Sequence, residues 1–342
     1  LLPNSVQELP EREVLLADGT RVAADLVIAS IGVKPDTTLA KAAEIAIGAK
    51  GGIAVNSFNQ SSNPDIYAIG DAAEKSDELT GESTLIPLAN IANRHGRITA
   101  DHIAGKAVRE VASIGTAIVK VFDLAVATTG WNAKRLAAAG RAFTEVHTHP
   151  NSHATYYPGA TQFSLKLIFD PKSGEILGAQ GVGRDGVDKR IDVIATALRA
   201  GVTAPALADL ELAYAPPFSS AKDPVNMLGY IAENLSSGLL ETAQWNQIDE
   251  FVDKGFELID VRSESEFGRG SIPGARNIPV DDLRNRTSEL TNTNVLVNCQ
   301  VGQRGHTATM LLKELGFNAV NLDGGYLTWS NSPIANKEIS HV

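Results

Sequence analysis

Cysteine is almost absent from this 342-residue chain; Cys299 is the only one. A single thiol excludes an internal disulfide framework, suits a reducing cytosol, and rules out any mechanism that draws two cysteines from the chain. Long apolar runs are missing too, since none reaches the roughly 20 residues a helix needs to cross a bilayer. The opening stretch LLPNSVQELPERE lacks the basic start and apolar core of a signal peptide. Positive charge is in deficit: 30 Lys and Arg stand against 40 Asp and Glu, a formal net charge of -10. No Lys/Arg cluster offsets it, which argues against nucleic acid as a partner. The composition is that of an ordinary soluble protein, for which a cytoplasmic location is expected, with neither nucleic acid nor membrane as partner and no metal called for.

What is present starts in mid-pattern. The first residue is Leu, and EVLLADGTRVAADLVIASIG reads as strand, turn at Asp18-Gly19, strand. A hairpin that begins a chain belongs to a sheet begun earlier, so a fragment is expected. The length allows two or three domains, each with its own core. GVKPDTTLAKAAEIAIGAKGGIAVN reads as a short helix and a return strand, and a strand over Ile66 to Ile69 is expected to end in Gly70-Asp71. LIPLANIANRHGRITADHIAGK has helical spacing in Leu88, Ile91, Ile98 and Ile103. A new unit opens near Ile114 with TAIVKVFDLAVATTG, then the helix NAKRLAAAG. It continues through the strands QFSLKLIFD and EILGAQGVG, the helix GVDKRIDVIATALRAG, and a Pro-Pro loop before a last helix. Composition changes again around Ser236 to Gly238. Beyond it FELIDV, NVLVNC and AVNLD alternate with helices, the pattern of a small parallel α/β domain.

Cys299 stands where that last domain turns from strand to helix. A thiolate is the reactive form of cysteine, and the free N–H groups at a helix start favour an anion. Gly302 lets the backbone curl closely and Arg304 adds positive charge. A buried structural cysteine is the alternative, and the polar flanks Asn298, Gln300, Gln303 and Arg304 weigh against it.

Three motifs, LIDVRSESEFGRGSIPGARNIP, CQVGQR and LDGGYLTW, follow one another within about seventy residues. The stretch from 240 to 335 resembles a rhodanese (sulfurtransferase) domain. The resemblance makes Cys299 the carrier of a sulfane sulfur, as a persulfide. Gln300, Val301, Gly302 and Gln303 would be the loop that cradles the persulfide, with Arg304 supplying charge. Asp260, Arg262 and Glu266 would be a polar brace beneath it. Related phosphatases set five residues between cysteine and arginine; here there are four, which favours a sulfur atom over a phosphate.

GVGRDG, residues 181–186, matches G-x-G-x-x-G and follows a strand. A dinucleotide fold would need a second parallel strand ending in an acidic residue after the helix, and none follows. These glycines are expected to make a strand-to-helix turn.

ASIGVKPDT, GGIAVN, IYAIGDAA and PLANIANRHGR, in that order, resemble the carboxyl half of the FAD domain of the pyridine nucleotide-disulfide oxidoreductases. The resemblance implies that Gly70 and Asp71 hold the ribityl chain of FAD. The helix beginning near Ala89 and Asn90 would point at the flavin. Asn90 and His95 read equally well as exposed polar residues on that helix. Residues 113–238 are similar to the dimerisation domain of this family, most of all to coenzyme A-disulfide reductases and their NADH oxidase relatives. There, two tyrosines reach the partner's active site; Tyr214 matches one, and Tyr156 or its neighbour Tyr157 the other.

The fold class expected is thus mixed α/β and α+β. Residues 1–33 are the tail of an NAD(P)H-binding domain, 34–112 the carboxyl half of an FAD-binding α/β domain, 113–238 an α+β dimerisation domain and 239–342 a small parallel α/β rhodanese domain. Such an enzyme uses FAD and NAD(P)H, takes coenzyme A as substrate, meets small-molecule thiols and sulfane sulfur donors, and forms a homodimer through 113–238. With Cys299 assigned to the sulfur loop, no cysteine is left to work beside a flavin. The G-x-G-x-x-G half of the FAD domain with which such enzymes open, and most of their NAD(P)H domain, are not in this sequence either, so NAD(P)H-dependent reduction and firm FAD binding are not expected of this chain alone. An NADH oxidase-type flavoprotein with a rhodanese domain, and a rhodanese-like module that binds without turnover, stay open as alternatives.

Overall fold

A computed structural model describes residues 6–109 and 111–335. The chain forms two compact units, residues 1–75 with 83–110, and residues 76–82 with 111–342. Among the described residues, no helix is long and apolar enough to cross a membrane.

The first unit opens with the expected hairpin. Strands Val6–Glu8, Glu13–Leu16 and Arg21–Ala23 pair antiparallel, with Gly19 at a φ of 85° in the turn. The strand ends at Ala23, short of VIASIG, and Ile28 and Ile31 lie exposed. The short helix is Thr38–Ala42. The return strand and the strand over Ile66 to Ile69 do not form; bridges at Ile53 and between Gln60 and Tyr67 stand in their place. A strand exists only by pairing, and among the described residues no ladder flanks these segments. The helix Ala89–Ile103 begins where the sequence placed it.

In the second unit an antiparallel sheet runs in the order Ala117–Val121, Leu124–Gly130, Ile176–Gly183, Phe163–Phe169, Thr144–Thr148. The period-2 rule sends Phe163, Leu165, Leu167 and Phe169 into a core shared with helices Val187–Arg199 and Pro224–Ser236. Ile168 packs on the opposite face with Trp131, Leu136 and Leu177. The strand of the GVGRDG motif is antiparallel to both neighbours, so no βαβ unit exists there. Its glycines serve packing: a Cβ on Gly183 would stand 2.2 Å from Phe163 Cβ, and Gly186 takes φ 79° to start the helix. Arg190, buried in that helix, donates to Ser152 O, Ser219 Oγ and Asp223 Oδ2. Asp223 also caps Pro224–Ser236, so one buried pair anchors the Pro-Pro loop that follows Tyr214. The edge strand Ala117–Val121 exposes Ile118, Val119 and Val121, with Phe122 94% exposed in its turn.

The remainder of this unit is a five-stranded parallel sheet, ordered Thr242–Ala243, Asn318–Leu322, Asn294–Asn298, Glu257–Asp260, Arg276–Asn277. Val295, Leu296 and Val297 are all fully buried because both faces are covered, as in parallel sheets generally. Val295 and Val297 meet Ile259 and Leu312 on one side; Leu296 meets Leu258 and Val320 on the other. Asp260, Cys299 and Asp323 all fall at the carboxyl edge of this sheet, where α/β folds place their chemistry.

Candidate active site around Cys299

Strand Asn294–Asn298 delivers Cys299 directly into the turn before helix Gln303–Glu314. Gly302, at φ 92°, turns its N–H back onto Cys299 Sγ at 3.2 Å. The carbonyls of Cys299 and Gln300 are drawn the other way, accepting from Tyr326 N–H at 2.7 Å and Leu327 N–H at 3.0 Å. The helix start carries no side-chain cap, so its first N–H groups stay available to an anion. The sulfur itself has no exposed surface and packs with Ile259, Val297 and Ala308, despite the polar flanks.

The three-residue brace expected beneath the loop divides into two pairs. Asp260 and Arg262 are buried together; Arg262 Nε reaches both carboxylate oxygens and Nη2 lies 2.7 Å from Oδ2. Asp260 accepts from Asn298 Nδ2 at 3.0 Å, and Arg262 Nη1 donates to Gln300 Oε1 at 3.2 Å. The pair therefore holds the residues on both sides of Cys299. Arg262 also donates to Gly270 O and lies 4.1 Å over the Tyr326 ring. Glu266 belongs elsewhere: it takes both Nη atoms of Arg304, at 2.8 and 2.7 Å. Arg304's charge is thus largely matched by a carboxylate. Arg262, Glu266, Arg269, Gly270, Gln300 and Tyr326 line a pocket of about 250 Å³ beside the loop.

Tyr156 and Tyr214 meet hydroxyl to hydroxyl at 2.9 Å, on an exposed face. Tyr157 turns instead against the His153 ring, so Tyr156 is the residue paired with Tyr214. The shared hydrogen bond raises the Tyr214 hydroxyl above its ordinary pKa.

In the first unit, Gly70–Ala72 forms a tight turn against the start of helix Ala89–Ile103. Asp71 is exposed, and Lys75 Nζ fastens the turn through Gly70 O and Ala73 O. The helix has no side-chain cap at Leu88, and Ala89 and Asn90 are exposed. Of the two readings left open for His95, the exposed surface residue fails: it is buried with Nδ1 unpartnered, and burial, then the charges of Lys75 and Arg94, push its pKa down to about 4. An exposed carboxylate for polyol hydroxyls, an uncapped helix start and an orphaned buried nitrogen together fit one side of a flavin site.

Models of known families match three stretches. Residues 3–96 match the pyridine nucleotide-disulphide oxidoreductases, 116–224 the dimerisation domain of the same family, and 244–332 the rhodanese-like domain. The chain belongs to the pyridine nucleotide-disulphide oxidoreductases and carries a rhodanese-like domain. It is 34% identical over 235 residues to a coenzyme A disulfide reductase of Staphylococcus haemolyticus, an alignment covering 68% of this chain and 53% of that one. Among solved structures, reduced CoADR-RHD from Bacillus anthracis shares 49% identity at a TM-score of 0.90, covering 96% of this chain and 59% of that one. An NAD-dependent persulfide reductase from A. fulgidus shares 36% identity at a TM-score of 0.87, covering 95% and 60%. The chain spans about half the length of the curated relative.

In this rhodanese-like domain the Arg304–Glu266 pair has a pH signature. Hydrogen bonds from Arg304, then from Ser263, hold the Glu266 carboxyl down to about 2 against an ordinary 4.5. A carboxyl depressed on folding stabilises fully above its unfolded value and loses that stability as pH falls through the folded one. Glu266→Gln is therefore expected to cost about 0.5–1 kcal/mol near neutrality, modest because Arg304 is partly exposed. The difference from wild type should shrink between pH 4.5 and 2. Urea midpoints of both chains at pH 6 and pH 3.5 check this, and a gap that does not narrow would exclude the pair as its source.

The sequence pattern missed the strand Thr144–Thr148 and with it His147 and His149. Its signal, TEVHT, offers one core residue, Val146, among polar ones. It also missed that Gln300 and Tyr326 belong to the Arg262 cluster.

Proposed function

We propose that this chain carries the sulfur-transfer half of a coenzyme A-disulfide or coenzyme A-persulfide reductase, with Cys299 as sulfur carrier. The observation that carries the reading is the loop itself: a lone thiol at a strand end, a glycine N–H on its sulfur, and a buried ion pair gripping both flanks. The Cys299 thiolate attacks the outer sulfur of a donor such as thiosulfate. The donor's S–S bond breaks and sulfite leaves with the electron pair, giving a persulfide on Cys299. An acceptor thiolate such as coenzyme A then attacks the outer sulfur, breaking the new S–S bond and restoring Cys299. No net oxidation occurs. Gly302 N–H and the uncapped helix start stabilise negative charge at the sulfur.

The relatives' names, coenzyme A disulfide reductase and persulfide reductase, support coenzyme A as acceptor and reduction of its persulfide as the next step. FAD, when bound, would pass to that step two electrons taken from NAD(P)H. Asp71 with Gly70 would hold its polyol chain, and the start of helix Ala89–Ile103, with Asn90, would face the ring. The Tyr156–Tyr214 pair would assist thiol chemistry at a partner's flavin, in a homodimer formed through the dimerisation domain. NAD(P)H binding rests on the family, since the hairpin of residues 6–23 offers no helix start for a pyrophosphate.

A second reading, a rhodanese-like module without turnover, is favoured by the full burial of the sulfur and the neutralised Arg304. One experiment separates the two. The purified chain is incubated with thiosulfate, and the Cys299 peptide is weighed by mass spectrometry. Gain of one sulfur atom, reversed by cyanide, is expected; no gain in a folded chain would leave the binding module.

A further inference from the structure

The turn Asp323-Gly324-Gly325 is pressed between two neighbours. On one side lies the cysteine loop, whose carbonyls accept from Tyr326 and Leu327 N–H. A Cβ on Gly325 would stand 2.3 Å from the Cys299 carbonyl oxygen. On the other side lies strand Thr144–Thr148 of the dimerisation domain. A Cβ on Gly324 would stand 2.8 Å from His147 Cβ, and 2.0 Å from Oγ1 of Thr328, which itself meets this strand's His149. Both glycines adopt positive φ, 65° and 62°, which a side chain would strain. Each glycine of the LDGG motif thus clears space for a different neighbour.

The Asp323 carboxylate joins the two sides. Its side chain is 3% exposed, and among the described residues its hydrogen-bond partners all belong to His147. The His147 backbone N–H lies 3.1 and 3.0 Å from the two carboxylate oxygens, and Nδ1 lies 2.6 Å from Oδ2. Two further contacts follow the same strand: His149 Nε2 meets Thr328 Oγ1 at 2.7 Å, and Gln244 Nε2 donates to Glu145 O at 2.9 Å. A buried carboxylate stripped of its partners is costly. Displacing His147 therefore strains the turn, and a shift in the turn moves the Cys299 and Gln300 carbonyls hung from it.

We propose that His147 is a positioning residue for Cys299, acting through Asp323 and the two glycines, so that the dimerisation domain sets the reactivity of the sulfur loop. In its sulfur readout the proposal rests on Cys299 being the carrier; in its thiol readout it does not.

The test uses the full chain as wild type, His147→Ala, His147→Asn and Asp323→Asn. Two rates are read on the Cys299 peptide, sulfur gain from thiosulfate and alkylation by iodoacetamide. For His147→Ala, sulfur gain should slow about tenfold, in the maximal rate rather than in the thiosulfate concentration for half-maximal rate. Alkylation should quicken as the buried thiol loosens. His147→Asn, which keeps an N–H donor near the Nδ1 position, should return both rates to within about twofold of wild type, a rescue that general loss of packing would not give. Asp323→Asn keeps the carboxylate's shape and should slow sulfur gain in the same direction, which serves if His147→Ala does not fold. Rates within about twofold of wild type in folded His147→Ala or Asp323→Asn would overturn the proposal. A wild type that gains no sulfur, with alkylation still responding to His147→Ala, would sink the carrier reading and leave the positioning role standing.

Discussion

Serine in place of Cys299 is expected to give a folded chain that gains no sulfur at all. The side chain is fully buried against Ile259, Val297 and Ala308, and serine fits that space without new contacts. Burying a hydroxyl among apolar groups costs about 1–3 kcal/mol when unpaired. Gly302 N–H already points at this position and would donate to the serine oxygen, offsetting part of that cost. The fold therefore survives while the chemistry does not. A hydroxyl ionises too weakly at neutral pH to attack a sulfane sulfur as a thiolate does. With no second cysteine in the chain, no other thiol can take over. Intact mass after thiosulfate incubation reads the sulfur, and thermal unfolding reads the fold. Sulfur retained covalently by the Cys299→Ser chain would end the assignment of Cys299 as carrier.

The rhodanese-like domain was legible because its chemistry sits at the ends of strands that are apolar on both faces. Val295 to Val297 announce a buried parallel strand without ambiguity of face, and Cys299 follows it. The partner of Arg304 was not legible in detail. Glu266 lies in a four-residue helix, and only the folded sheet brings the two together. The strand at Ile66 to Ile69 failed for a different reason: its apolar pattern is real, but among the described residues its pairing stops at the single bridge of Tyr67 to Gln60 and never extends into a ladder. Thr144–Thr148 failed the opposite way. Polar residues that face another domain look like polar residues that face water, so His147 and His149 gave no sign of Asp323 and Thr328.

Arg262→Ala is expected to be the most destabilising single change around the loop, at about 3–5 kcal/mol. The substitution leaves the Asp260 carboxylate buried with only Asn298 and its own chain to solvate it. It also removes the donors to Gly270 O and Gln300 Oε1 and the cation stacked on Tyr326. Set against the 5–15 kcal/mol that holds a typical domain together, roughly, this is a large share. Arg262→Lys keeps the charge but not the planar fork that reaches both Asp260 oxygens, and should fall between. The informative variant is the double change Asp260→Leu with Arg262→Met. If the pair serves stability, the double variant stays as unstable as Arg262→Ala. If it serves loop geometry, removing both charges restores most of the stability, because no buried charge is left alone. Sulfur loading nevertheless stays low, since Asn298 and Gln300 lose their anchor on either side of Cys299. The second outcome is the one expected. Urea unfolding of the three variants beside the thiosulfate assay decides it, and a cost below about 1 kcal/mol for Arg262→Ala would mean that the pair anchors nothing.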